Sequence, residues 1–209
     1  MKAYLTVFDS VQTEYVEKRS RFIATLAHCE TEAEAAAFLE EMRSKYWDAR
    51  HNCFAYSVDG GALCRFSDDG EPHGTAGKPM LDVIAGSGIT NIAVVVTRYF
   101  GGVLLGTGGL VRAYSKSVQD VLAAATVVKM VPSVILTVKC DYSDHGKLVN
   151  LISAEGGNII NTEFTDTVTV ESCFKEEDLD SFSKKLTETF SARLDFEIKS
   201  KKLMPFEEK

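Results

Sequence analysis

From residue 4 the chain sets apolar residues singly or in short clusters between polar breaks. YLTVF (4–8), QTEYVEK (12–18) and SRFIATLAH (20–28) carry that pattern and predict three strands. The period then lengthens. Phe38, Leu39 and Met42 share one face of a helix predicted from Glu32 to about Lys45. Thr31 followed by Glu34 makes a capping box at its start, where side-chain oxygens satisfy amides that the first turn leaves bare. HNCFAYSV (51–58) and ALCRFSD (62–68) read as two short strands, joined by Asp59-Gly60-Gly61 as a hairpin. DDGEPHGTAGK (68–78) is a polar loop, and Pro79 suits the first turn of a short helix over MLDVIAG. NIAVVVT (91–97) is a continuous apolar run and predicts a central strand. Leu110, Ala113, Tyr114, Val118, Val121 and Leu122 then recur at helical spacing, so a helix is expected from about Gly109 to Ala125.

Beyond Ala125 the pattern changes. VPSVILTVKCDY (131–142) is a strand and DHGKLVNLISAEGG (144–157) a helix ended by Gly156 and Gly157. NIINTEFTDT and VTVESCF are two strands, EEDLDSFSKKLTETF a helix with Leu179, Phe182, Leu186 and Phe190 inward, and LDFEIKSKK a last strand. The order β-α-β-β-α-β is the ferredoxin-like split βαβ. The expected fold class is therefore α+β, with an N-terminal domain over 1–128 and a ferredoxin-like domain over 129–209.

Composition narrows the function classes. At 209 residues the chain can bury roughly 70% of its unfolded surface and hold one or two domains. No apolar stretch approaches the ~20 residues of a membrane span, and the start, MKAYLTVFDSVQTEY, lacks the apolar region of a signal peptide. Five cysteines, odd in number and without a CxxC pair, read as reduced thiols of a cytoplasmic protein. The net charge is −7, and dividing the chain after residue 128 leaves −3 and −4, so neither part is basic. Nucleic-acid binding would have to rest on a local patch rather than a general positive field.

Three stretches carry candidate chemistry. In TRYFGGVLLGTGGLVRAYSK (97–116), five glycines fall between Gly101 and Gly109. Such a loop running into a helix offers free amides and the positive end of the dipole to an anion. Arg98 and Arg112 flank it with forked donors for a phosphate or carboxylate, and Tyr99 and Phe100 offer rings for stacking or packing. In SDDGEPHGTAGKPM (67–80), Asp68, Asp69, Glu71 and His73 resemble metal ligands, but the spacing fails the EF-hand loop and the same residues suit turns. His51 and Cys53 are two apart on one strand, a spacing that fits a Cys–His nucleophile pair or, more simply, a buried thiol beside a hydrogen-bonded imidazole. No nucleophile elbow, zinc motif or dinucleotide fingerprint occurs.

HNCFAY, DDGEPHGTAGKPM and TRYFGGVLLGTGGLVRAY, in this order and with RSRFIA near the start, closely resemble the IMPACT/YigZ family over roughly residues 15–125. The resemblance implies an N-terminal domain like domain IV of elongation factor G and a C-terminal domain like its domain V. It also implies a link to translation, since eukaryotic relatives act as translational regulators, their shared domain accompanied by a different partner-binding module that this chain lacks. His73 stands where many relatives have a small residue. Carried over position by position, the candidate binding residues are Asp68, Asp69, Gly70, Glu71, Gly74, Thr75 and Gly77, with Lys78 beside them, in one loop. The other set is Arg98, Tyr99, Phe100, Gly101, Gly102, Gly108, Gly109 and Arg112. The expected function is non-enzymatic binding to RNA, the ribosome or a translation regulator, without cofactor, metal or membrane and with the oligomeric state open. The alternative is a phosphate- or nucleotide-binding enzyme that uses the Asp/Glu loop. Either reading expects the two loops to share one exposed face edged by Arg98 and Arg112.

Overall fold

The computed structural model describes residues 2–206, which divide into two units, Tyr4–Lys129 and a second from Met130 onward that takes in residues 2–3. In the first unit, β1 (Tyr4–Val7), β2 (Val11–Glu17) and β3 (Ser20–His28) lead into α1 (Glu32–Lys45). β4 (His51–Val58), β5 (Leu63–Ser67), α2 (Gly77–Ser87), β6 (Ile92–Tyr99) and α3 (Gly106–Ala124) follow. The sheet order is β2-β3-β6-β4-β5, with every neighbour antiparallel. β1 bridges in parallel from Leu5 to Ile89, and the Thr90 amide donates to the Leu5 carbonyl.

Both faces of this sheet are covered, which explains its central strand. Ile92, Val94 and Val96 of β6 pack with Phe22, Ala24, Leu26, Cys53 and Ala55 under Met80, Ile84, Leu110, Tyr114 and Val118 of α2 and α3. Ala93 and Val95 point the other way, to Phe38 and Met42 of α1. A strand buried on both sides has no solvent face to mark with polar residues, hence its unbroken apolar run. Thr31 caps α1 by accepting from the Glu34 amide, while Glu34 Oε2 accepts from the Glu30 amide.

Two helix starts of this unit differ from the sequence reading. α2 begins at Gly77 rather than at Pro79, and α3 begins at Gly106 rather than at Gly109. Glycine costs little where first-turn amides have no intrahelical partner anyway, and Leu105 already packs against the core. Gly108 and Gly109 are therefore helical, and Arg112 falls in the second turn of α3 rather than its first.

The second unit follows β7 (Val127–Cys140), α4 (Tyr142–Ala154), β8 (Asn158–Phe164), β9 (Val168–Lys175), α5 (Leu179–Phe190) and β10 (Phe196–Phe206). The chain passes from one unit to the other within β7. Its strands lie in the order β10-β7-β9-β8, the split βαβ arrangement. Leu136, Val138, Leu148, Ile152, Phe174, Phe182, Leu186 and Phe190 form a core of their own. The molecule is thus mixed α+β, in two parts.

Candidate functional site

The loop between β5 and α2 folds back on itself around one carboxylate. Asp68 Oδ2 accepts from the Gly74 amide at 2.8 Å, and Oδ1 accepts from the Ala76 and Gly77 amides at 3.0 and 2.8 Å. Asp68 thereby satisfies the bare amides at the start of α2, a role usually filled by the cap residue. Burial opposes its ionisation, but the three N–H donors outweigh this and hold the carboxyl below its ordinary value. Gly77 has to be glycine: a Cβ there would sit 2.7 Å from backbone atoms of Ser67. Thr75 is buried and donates its hydroxyl to the Pro72 carbonyl at 2.7 Å.

The neighbouring acids are tied in as well. Asp69 Oδ2 accepts from the Asn52 amide at 2.7 Å, and its carbonyl accepts from His51 Nδ1 at 2.8 Å. His51 therefore carries its proton on Nδ1. Glu71 points inward. Its Oε1 accepts from Arg98 Nη1 at 2.6 Å and from the Tyr114 hydroxyl at 2.9 Å. The Arg98 side chain is 7% exposed and that of Glu71 3%. The guanidinium lies over the Phe22 and Phe100 rings, 5.5 and 5.6 Å from their centroids, and its Nη2 reaches Ser20 Oγ at 3.5 Å. Cys53 Sγ lies 2.9 Å from the Asp68 carbonyl and 3.3 Å from the Tyr114 hydroxyl. Burial pushes the Cys53 thiol and the Tyr114 phenol strongly up, so neither ionises near neutrality.

The two glycine-bearing segments thus do meet, but at a buried ion pair. The Arg98 guanidinium is committed to Glu71 within the protein rather than held open to solvent. Asp68, Asp69 and Glu71, the carboxylates an enzyme would need, are all engaged in holding the loop. Cys53 is a buried hydrogen-bonded thiol beside the half-buried His51. Among the described residues no group of three or more His, Cys, Asp and Glu is arranged to hold a metal. Lys78 pairs with Asp82 on α2 and takes no part in the cluster.

What faces solvent lies just beyond this pair, where β6 ends. Gly101 presses against the turn between β2 and β3, where a Cβ would stand 2.0 Å from the Arg19 carbonyl carbon, and its amide donates to Ser20 Oγ at 3.2 Å. With Gly101 pinned there, the residues on either side of it project outward: Phe100 is 54% exposed and Leu104 83%, with Gly102, Val103, Thr107 and Gly108 also exposed. Around this loop lie cations that the sequence reading passed over. Lys18 and Arg19 form the β2–β3 turn, and Arg50 immediately precedes His51, the β4 residue that pairs with Arg98. Arg21, Arg43, Arg65, Lys78, Arg98 and Lys116 each pair with a carboxylate. Lys18, Arg19, Arg50 and Arg112 are exposed and form no salt bridge among the described residues. Tyr99 is half-buried and donates to Asp48 Oδ1 at 2.8 Å. Placing Lys18 and Arg19 needs the β2–β3 register, which hydropathy does not report. Arg50 stood in plain view at a strand start.

Comparison with known proteins adds a relationship to this geometry. Residues 18–122 match the Impact N-terminal domain and residues 138–193 a domain of unknown function (DUF1949). The chain is 36% identical to the IMPACT family member YvyE of Bacillus subtilis, over 93% of this chain and 90% of that protein. It is 41% identical to the IMPACT family member YigZ of Escherichia coli, over 82% and 85%. A protein IMPACT homolog of Dictyostelium discoideum is 38% identical over 43% of this chain and 27% of its own length. A solved structure titled only as that of a hypothetical protein superposes with a TM-score of 0.62 at 38% identity, covering 94% of this chain and 97% of that one.

Proposed function

The chain belongs to the IMPACT family, and from that premise we propose that it is a non-enzymatic binding protein of translation that contacts ribosomal or other RNA through the β6 end of its first sheet. One observation carries the reading. Four exposed cations without carboxylate partners among the described residues, Lys18, Arg19, Arg50 and Arg112, lie near a projecting apolar loop and the uncapped start of α3. Arg43, Arg65, Lys78 and Lys116 of the same unit pair with acids, and Lys45 meets Gln12. Unpaired guanidinium and ammonium groups, together with helix-start amides, meet phosphates, and the loop supplies packing surface. A protein with a net charge of −7 binds by this route only locally, so affinity depends on those few groups.

Filter binding and ribosome co-sedimentation at about 0.1 M salt test the reading, a salt level at which exposed charges still act over ~10 Å. The expected result is association that weakens at least tenfold in the Arg50→Glu/Arg112→Glu variant. Wild-type co-sedimentation of that variant would show the assignment of this face to be wrong.

A further inference from the structure

Beside the sheet end, on the α1 side, lies an aromatic surface that the proposed contacts leave unused. Trp47, the sole tryptophan, is 83% exposed. It does not sit on a loose tail. The Tyr46 amide donates to the Met42 carbonyl and the Ala49 amide to the Tyr46 carbonyl, both at 3.0 Å, so the turn leaving α1 is fixed by backbone hydrogen bonds. Tyr46 and Tyr99 flank it with their hydroxyls tethered, Tyr46 to Gln12 Oε1 at 2.9 Å and Tyr99 to Asp48. Partial burial and then the Asp48 carboxylate hold the Tyr99 phenol above its ordinary value, and the nearby Tyr46 adds to the shift. Cations stand against the same rings. Lys45 Nζ is 5.2 Å from the Tyr46 centroid and Arg21 Cζ 5.8 Å from that of Tyr99. Lys45 and Arg50, on either side of Trp47 in the chain, have no carboxylate partner among the described residues.

We infer that Tyr46, Trp47 and Tyr99 form a stacking platform for the unpaired bases of single-stranded RNA, with Lys45 and Arg50 meeting its phosphates. A large ring held out in water by a rigid turn gains most from a flat π-surface, and every base has one. Duplex RNA hides its bases and would meet only the charges. Lys45 and Arg50 complement the negative charge of a polynucleotide backbone. The inference rests on the reading of the sheet end as an RNA-contacting face, and it specifies which form of RNA is bound.

The experiment titrates the full-length protein with an unstructured oligouridylate, reading labelled-RNA anisotropy and intrinsic tryptophan fluorescence together. Expected is a saturable quench of Trp47 that tracks the anisotropy, with no quench from a duplex of equal length or from inorganic polyphosphate. Trp47→Ala weakens binding about tenfold, the size of one lost base stack, while Trp47→Phe stays close to wild type. Trp47 is exposed, so an unchanged circular dichroism melt shows that the variant remains folded. Anisotropy that rises without a quench, or a Trp47→Ala protein that binds like wild type, overturns the platform and leaves RNA contact by the sheet end standing. No rise in anisotropy with single-stranded, duplex or ribosomal RNA overturns both.

Discussion

A guanidinium held 2.6 Å from a buried carboxylate cannot also meet a phosphate without leaving that carboxylate bare. Arg98 and Glu71 are therefore positioning residues for two loops, and their substitution should read out as stability. Removing one member of a buried pair strands the other, at a cost of about 3–5 kcal/mol, whereas replacing both with apolar residues of similar volume removes the stranded charge. Glu71→Ala and Arg98→Ala should each lower the unfolding free energy by an amount of that size, seen as a lower urea midpoint. Glu71→Leu combined with Arg98→Met should recover most of the loss, although the Tyr114 hydroxyl then loses its acceptor. Equilibrium unfolding of the three proteins checks this. If Arg98→Ala keeps wild-type stability yet loses RNA binding, Arg98 is a ligand group after all. In the sequence these two residues looked like a binding arginine and a loop acid. Nothing local reveals that they meet, because they are 27 positions apart and only the fold makes them partners.

At the scale of elements, the glycines that looked alike separate into two kinds. Gly101 lies against Arg19 backbone with no room for a Cβ, so Gly101→Ala must displace the β2–β3 turn and the loop it pins. Gly108 lies in the first turn of α3 with nothing within 4 Å of a Cβ and with no positive φ. Gly108→Ala should therefore stabilise the protein by about 0.5 kcal/mol, mainly through a less free unfolded chain. Thermal melts and RNA binding of both variants separate two roles. Gly101→Ala should lose stability and binding together. Gly108→Ala should gain stability, and if its affinity falls nonetheless, a partner approaches the helix start too closely for a methyl group. Periodicity in the sequence placed α1 to its end residues, and it located β6 and α5 well, because apolar spacing records burial directly. It set α3 three residues late, since glycine reads as loop wherever a helix start makes its cost small.

At the scale of the whole molecule, the sequence showed a net charge of −7 but could not show how charges neutralise one another. The structure pairs many basic side chains of the first unit with acids, while Lys18, Arg19, Arg50 and Arg112 remain exposed around one sheet end. That distribution sets a quantity the net charge does not. If about four phosphates are neutralised there, log Kobs should fall against log salt with a slope of about −3 on single-stranded RNA, at ~0.7 per contact. Arg50→Ala and Arg112→Ala should each flatten the slope by about 0.7, and Arg98→Ala, whose charge is internally matched, should leave it unchanged in whatever fraction stays folded. A slope near −7, or one indifferent to Arg50 and Arg112, would require a broader cationic surface than this sheet end provides. Long-range repulsion from the surrounding acids weakens with added salt, so it should flatten the dependence at low ionic strength, and the local slope is best read above about 0.1 M, where the screening length is ~10 Å.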